Sequence, residues 1–329
     1  MRPRSEAEFL KRLDRLFGDH AHDAVRLGRG DDAAILNPGK WCVTVDALVE
    51  GVHFRRDLIS PRELGIKAFR VNASDLNAMG TRTQAGFLSL TLPDDFTNAQ
   101  LNGLLAGLAA EFHAAGAALA GGNLSRGKEL QIHLTLLGPA PKAPLRRDRA
   151  QAGDALLLIG ETGLARAGFM LLEKKRRDPG FSLRGFSAAL NAQRTPAPPL
   201  AAGPVLAALA SRGIRLNALD LSDGPARDAL RFSARGKQLG AILDAAAFPQ
   251  PPALQRAARA LRVNPRRLAV TGGEDYALLV ACAEDDLSEV VRVAAPQPCT
   301  VVGWLTAKPG LVVRELKGAA PKGFDHLSR

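Results

Sequence analysis

Apolar residues recur along this chain in two rhythms. From Leu64 to Met79 the positions Leu64, Ala68, Val71, Asp75 and Met79 are spaced four, three, four and four apart, the stripe of one helix face. Ser60 supplies an N-cap for that helix, Pro61 its first position and Gly80 its stop. The pattern predicts further helices near 5–17 and over Asn98 to Ala115. Alternation or short apolar runs predict strands around 42–46, in AGFLSLTLP, in LQIHLTLLG, at 155–159 and near 216–221. Helical segments extend to about 230, with one helix beginning at Pro225 and the Pro-rich RTPAPPLAAGP read as a loop. Strands near 277–282 and 299–305 flank a last helix.

Strands and helices alternate on both sides of a seam at GPAPKAPLRRDRAQAGD (Gly138 to Asp154), where proline and charge interrupt the apolar pattern. The expected fold class is therefore α/β (or α+β) in two domains, 1–140 and 141–329, without a short-period repeat.

Composition narrows the class. The chain of 329 residues is 46% hydrophobic and 23% charged, which suits a globular protein with a sizeable core. No apolar run reaches the roughly 18 residues of a membrane span, and MRPRSEAEFLKRL turns charged where a signal peptide would be apolar. The expected location is the cytoplasm, with no membrane partner. Cys42, Cys282 and Cys299 lack metal-binding spacing, and Cys42 and Cys282 lie in apolar runs, which predicts buried free thiols. The six histidines show no zinc-like pairing, and His20 and His22 are expected at the surface. The net charge of +11 is dispersed, aromatics make up 5%, and no nucleic-acid motif stands out. Nucleic acid is not expected as a partner; the excess charge either steers anionic small molecules or covers solvated helices, the latter preferred for Lys174 to Arg177.

The candidate chemistry lies in carboxylates. LGRGDDAAIL places Asp31 and Asp32 side by side after a glycine, which by itself reads as a turn. Its GxGxxA outline is not taken as a dinucleotide site, because no convincing strand precedes it and two aspartates repel a pyrophosphate. No GxxxxGK[ST] is present. Asp75 sits on the core-facing stripe of its helix, where an ionised carboxylate must be paired, protonated or metal-bound. Asp46 ends the run WCVTVD, Asp220 ends IRLNALD, and Asp223 precedes a helix that it either caps or uses as an anion-facing terminus. If Asp32, Asp46, Asp75, Asp220 and Asp223 converge, two such charges 4 Å apart repel by roughly 4 kcal/mol at an effective dielectric near 20. Oxygen-only ligands then suit Mg²⁺ shared with phosphates.

GRGDDAAIL, VDALVEGVHF, LGIKAFRVNASDLNAMG, AGGNLSRG, LDLSDGPARDAL, TGGEDYALL and KGFDHL occur in the order found in thiamine-monophosphate kinases, from about Gly28 to Leu327. The chain resembles that family, within a superfamily that includes aminoimidazole ribonucleotide synthetase. The resemblance implies an N-terminal Mg/ATP-binding domain that dimerises with a second copy. It also implies a C-terminal α/β domain closing over nucleotide and substrate. The implied reaction passes a phosphoryl group from ATP to thiamine monophosphate. Carried over by motif, Asp32, Thr44, Asp46, Asp75, Asn123, Asp220 and Asp223 would hold several Mg²⁺ ions; Asp75 and Asp220 would carry the metal-assisted step. Gly122, Asn123, Arg147 and Ser222 would touch ATP, and His53, Glu274 and Phe324 the thiamine moiety. No general base is called for, since the acceptor phosphate is largely ionised at pH 7 with a second pKa of about 6. His53 as a backbone-satisfied loop residue, and Phe324 as ordinary packing, remain open readings.

Asn123 stands where the family usually has aspartate, followed by Leu124 and Ser125 in place of small hydroxyl residues. An Asn oxygen can ligate Mg²⁺ without charge. Arg29 and Val45 also depart from the family pattern beside their motifs. Two further readings follow: a sibling ATP-dependent enzyme with another small substrate, or a nucleotide-binding protein with impaired catalysis.

Overall fold

The computed structural model describes residues 6–17, 23–27, 35–235 and 237–316. Two compact units emerge: the described residues up to Leu76 with Thr81–Ala140, and Asn77–Gly80 with the chain from Pro141 onward. Asn77–Gly80 belongs to the second unit because its polar groups are used there. The Asn77 side-chain oxygen accepts from Gly203 N–H at 2.7 Å, and the Met79 carbonyl accepts from Leu145 N–H at 3.4 Å.

The first unit runs α1 (Glu6–Phe17), β1 (Val25–Leu27), β2 (Ile35–Leu36), β3 (Trp41–Val49), α2 (Pro61–Ala78), β4 (Ala85–Leu92), α3 (Asn98–Ala115), β5 (Ala118–Arg126) and β6 (Gln131–Pro139). Its sheet has the order β3-β6-β4-β5; β4 and β5 are parallel and the other neighbours antiparallel. Thr97 and Gln100 close a capping box that starts α3: Gln100 N–H donates to Thr97 Oγ1 and Thr97 N–H to Gln100 Oε1. Leu48, Leu88, Leu90, Ile132, Leu134 and Leu136 alternate along their strands onto one buried face of the sheet. Helix α2 is buried nearly all round, Lys67, Asn72, Ser74 and Asn77 included, so it behaves as a core helix rather than a half-solvated one. Its approach to α3 depends on Gly65, where a Cβ would lie 2.1 Å from the Leu104 carbonyl oxygen. Phe112 joins this core edge-on to Phe17 and Phe69, at 5.5 and 4.9 Å between centroids.

The opposite sheet face is partly covered by Ala24 and Val25, which pack with Ala85 and Ala120, and is open along the edge strand β3. Val43 and Val45 are 57% and 64% exposed on the edge strand β3. That edge position also leaves Cys42 half-buried, a correction to the expected buried thiol; Cys282 is buried, and all three cysteines are free.

The second unit contains β7 (Ala155–Ile159), α4 (Leu164–Arg177), α5 (Ser187–Arg194), α6 (Ala202–Ala210), β8 (Asn217–Asp220), α7 (Pro225–Asp228), β9 (Ser233–Ala234), β10 (Lys237–Gln238), β11 (Gly240–Asp244), α8 (Pro252–Leu261), α9 (Pro265–Thr271), β12 (Leu278–Cys282), α10 (Leu287–Ala294), β13 (Cys299–Thr306) and β14 (Gly310–Arg314). Its main sheet has the order β14-β11-β13-β7-β12-β8, with only β11 and β14 parallel among these neighbours. The central strand β7 is buried along its whole length. Leu156 and Leu158 join one hydrophobic cluster with residues of α4, α8 and α9, while Leu157 and Ile159 join another with residues of α6 and α10. This is a sheet between two helical layers. The basic end of α4 is more than a solvated face: Lys174 donates to the Ala260 carbonyl at 2.8 Å and lies 4.4 Å from the Phe181 ring centroid.

One expectation needs correction. A short strand, β1, does precede the GRGDDA segment and pairs antiparallel with β2. The helix beginning at Pro225 lasts one turn before a 3₁₀ turn over Ala229–Arg231. Among the described residues no helix is long and apolar enough to cross a membrane.

Candidate functional site

In the first unit, β3 and α2 bring three predicted residues together. Thr44 and Asp46 are two apart on β3 and share a face. The Thr44 hydroxyl donates to Asp75 Oδ2 across from α2 at 2.6 Å. Burial, and secondarily the negative charge of Asp75, push the Asp46 carboxyl up to about 7. Two carboxylates and a hydroxyl, all oxygen donors, fit a small hard dication completed by phosphate oxygens, as Mg²⁺ prefers. No group of three or more His, Cys, Asp or Glu positioned to hold a metal is found among the described residues. Asp32 and Arg29 lie outside the described residues, as do His20, His22 and Phe324.

Gly122 and Asn123 lie on β5, the far edge of the same sheet. Asn123 pairs with Ser89, Ser89 with His133, and His133 with Ala47. That row alternates with the row of Asp46, so Asn123 shares the face of Ala47. It is three strand spacings, about 14 Å, from β3. Within one chain, Asn123 therefore stands apart from Thr44, Asp46 and Asp75. Gly122 has a packing reason to be glycine: a Cβ there would lie 1.9 Å from the Leu88 carbonyl oxygen.

His53 sits in the turn after β3. Its Nδ1 accepts the Val49 N–H at 3.1 Å, and the His53 backbone N–H donates to the Val49 carbonyl at 2.9 Å. With Nδ1 accepting, a neutral ring carries its proton on Nε2. A cavity of about 560 Å³ opens on the same turn, lined by Glu50, Gly51, Arg55, Arg56 and Asp57. Its arginines are held by carboxylates: Arg56 by Glu50 and Asp95 at 2.6 and 2.9 Å, Arg55 by Asp57 at 2.8 Å.

In the second unit the end of β8 gathers another group. Asp220 closes β8 opposite Leu278, and the backbone pairing continues past it. Leu221 N–H donates to the Ala277 carbonyl, Tyr276 N–H to that of Leu221, and Glu274 N–H to that of Ser222. Asp220, Ser222, Asp223 and Glu274 thus share one rim. Arg147 is exposed, and its carbonyl accepts from Ser233 N–H at 3.0 Å, beyond the short helix that follows Asp223.

Asp228 and Asp275 belong to this rim and were not singled out from the sequence. Asp228 is completely buried and accepts the N–H groups of Asp223 and Gly224 at 2.9 and 3.0 Å. Burial pushes its carboxyl up to about 6, against the pull of Arg231. Asp275 accepts from Gly163 and Ala165 N–H at 2.5 and 2.8 Å, at the start of α4. Glu274 and Tyr276 on either side have φ of 66° and 53°, a conformation costing about 1–3 kcal/mol each that needs firm surroundings. Asp275 supplies them. The available sequence signal was its position, inside TGGEDY and next to Glu274.

Desolvation pushes the Asp275 carboxyl up to about 7, opposed by those N–H bonds. A raised carboxyl pKa means that between about 4 and about 7 the folded state keeps a proton the unfolded state has lost. Folding stability should therefore fall as pH rises through that window, and Asp275→Asn should flatten the dependence. Asp275→Ala should cost about 2–4 kcal/mol, because two N–H donors lose their acceptor. Urea unfolding of the three proteins at pH 4 to 8 checks both; equal slopes for wild type and Asp275→Asn would contradict the assignment.

Residues 30–140 match the family model for the AIR synthase related protein, N-terminal domain, and residues 151–315 that for the C-terminal domain. Thiamine-monophosphate kinase of Synechococcus elongatus is 34% identical over 313 residues, covering 91% of each chain. That of Escherichia coli K12 is 33% identical, covering 92% of this chain and 93% of the relative. The crystal structure of thiamine-monophosphate kinase from Stenotrophomonas maltophilia K279a superposes with a TM-score of 0.79 at 30% identity, covering 93% of this chain and 95% of that one. AaThiL complexed with AMPPCP and TMP gives 0.75 at 25% identity, covering 98% and 97%. With full-length relatives above 30% identity and both domain models matched, the chain belongs to the thiamine-monophosphate kinase family of AIR synthase related proteins.

Proposed function

We propose that this chain phosphorylates thiamine monophosphate with ATP, giving thiamine diphosphate and ADP. The observation that carries the reading is the match along nearly the whole chain to relatives of that one activity, one solved with an ATP analogue and TMP. The chemistry agrees with the side chains. Two anionic phosphates must be brought into line, and the task is charge neutralisation and positioning rather than proton abstraction.

Thr44, Asp46 and Asp75 in the first unit are assigned to Mg²⁺, together with Asp32; Asp220 and Asp223, in the second unit, are likewise assigned to Mg²⁺. When bound, the ions would neutralise phosphate charge in the transfer. The Thr44 hydroxyl donates to Asp75, and burial raises the Asp46 carboxyl, so that a bound cation would favour its charged form. Gly122, Asn123, Arg147 and Ser222 are assigned to ATP, Arg147 supplying an exposed positive charge. His53, Glu274 and Phe324 are assigned to the thiamine moiety. In this assignment His53 would orient the substrate and Glu274 would pair with its cationic ring.

Incubating the protein with ATP, Mg²⁺ and thiamine monophosphate should yield thiamine diphosphate. ADP release only with a different acceptor, or binding without turnover, would replace this reading with a sibling enzyme or an impaired nucleotide-binding protein. In the same assay, Asn123→Asp should add a carboxylate beside ATP and lower the Mg²⁺ concentration needed for half-maximal rate; an unchanged requirement means that residue 123 reaches no ion bound with the nucleotide.

We assign the exposed β3 part of the first unit's sheet face to pairing with a second copy, in the cytoplasm. Exposed Val43 and Val45 on the edge strand β3 form an apolar surface that a partner sheet would cover. Val45→Glu should convert a dimer to a monomer, as measured by light scattering on a sizing column. A monomeric wild type would end this part of the proposal.

A further inference from the structure

We infer that Asp228 is a positioning residue for Asp223, holding the Ser222–Asp223–Gly224 turn by its backbone while Arg231 ties the two carboxylates together. The inference rests on the reading of Asp223 as part of the phosphoryl-transfer site. It adds a residue that touches neither nucleotide nor substrate.

The geometry is specific. A single oxygen, Asp228 Oδ2, accepts both N–H groups that open the turn, those of Asp223 and Gly224. The Asp228 N–H returns a bond to the Gly224 carbonyl at 3.0 Å. Side chain and backbone of Asp228 thus grip the turn from both ends. The arrangement works like a reciprocal helix cap, but its carboxylate is fully buried. Helix α7 is one turn long and is followed by a 3₁₀ turn, so the helix itself gives the turn little support. Arg231, on that 3₁₀ turn, donates from Nη2 to Asp223 Oδ2, and its Nε lies 3.4 Å from Asp228 Oδ1. Arg227 adds a longer contact to Asp223 at 3.7 Å. A buried carboxylate is costly unless its bonds do something a neutral residue cannot. Here the negative charge anchors Arg231, and through it sets where the Asp223 carboxylate rests.

The two oxygens divide the work, which makes substitutions informative. Asp228→Asn can keep an oxygen at the Oδ2 position, preserving the backbone grip, but places an amide against Arg231. Asp228→Ala removes both functions. Amide hydrogen exchange and steady-state kinetics with ATP, Mg²⁺ and thiamine monophosphate should be measured on wild type and both variants. In Asp228→Ala, the Asp223 and Gly224 amides should exchange at least about tenfold faster. Its kcat should fall about a hundredfold, while KM for thiamine monophosphate stays near the wild-type value. Asp228→Asn should retain the amide protection and lose less of kcat. Wild-type exchange and kcat in Asp228→Ala would overturn the inference. If that variant does not fold, unprotected Asp223 and Gly224 amides in folded Asp228→Asn would overturn it equally. A wild type without kinase turnover would count against the functional reading, and the exchange comparison would still decide whether Asp228 grips the turn.

Discussion

Asp75→Asn should fold like the wild type and lose turnover by about a thousandfold. Folding should survive because an amide oxygen can accept the bond that Thr44 donates to Asp75. The Thr44 hydroxyl donates to Asp75 Oδ2 at 2.6 Å, and an asparagine oxygen placed there accepts the same bond. What asparagine cannot supply is the charge. Asp46, whose carboxyl stands at about 7 through burial and through Asp75, should titrate lower once that neighbour is neutral, while burial keeps it above the ordinary range. The expected signature is therefore threefold: an unchanged thermal transition, a collapsed rate, and an Asp46 carboxyl resonance titrating at lower pH. Activity within tenfold of wild type would remove the Thr44–Asp46–Asp75 group from the chemistry.

Gly122→Ala should act on the fold before it acts on the nucleotide. Its new methyl group would lie 1.9 Å from the Leu88 carbonyl oxygen, a backbone atom of β4 that no side-chain rotation can move aside. β5 must then shift off β4, and the parallel pairing from Ala118 to Arg126 weakens. A stability loss of about 3 kcal/mol is expected, with faster exchange of the β5 amides and a raised KM for ATP following from the displaced strand. A glycine needed only for close approach of a ligand would behave otherwise, raising KM while leaving urea unfolding untouched. That outcome would show β5 adapting where its backbone now leaves no room.

Many of the helices and half of the strands were legible because their signals are local, whereas α8, α9, β11 and β14 were not singled out. Ser60 and Pro61 marked the start of α2, the Asn98–Ala115 helix kept its predicted bounds, and β7 occupies the apolar run at 155–159. β5 was missed because ALAGGNLSR carries two glycines and no alternation. It becomes a strand because α3 returns the chain beside β4, whose edge accepts it. The Cys42 thiol was misplaced for a related reason: an apolar run marks a strand, but not whether that strand is an edge.

Among the candidate residues, sequence spacing alone put Asp75 on the packed face of a helix and Asp46 in an apolar strand, and the motif order pointed to the family. Their chemical types and local periods carry that much, since both depend only on near neighbours in the chain. Tertiary structure decided the pairing of Thr44 with Asp75 and the separation of Asn123 from them across three strands. It also decided the grip of Asp228 and Asp275 on two loops. Strand order and side-chain reach are set by long-range packing, where residues distant in sequence compete for the same backbone groups and the same dry space, and no local pattern records which of them wins.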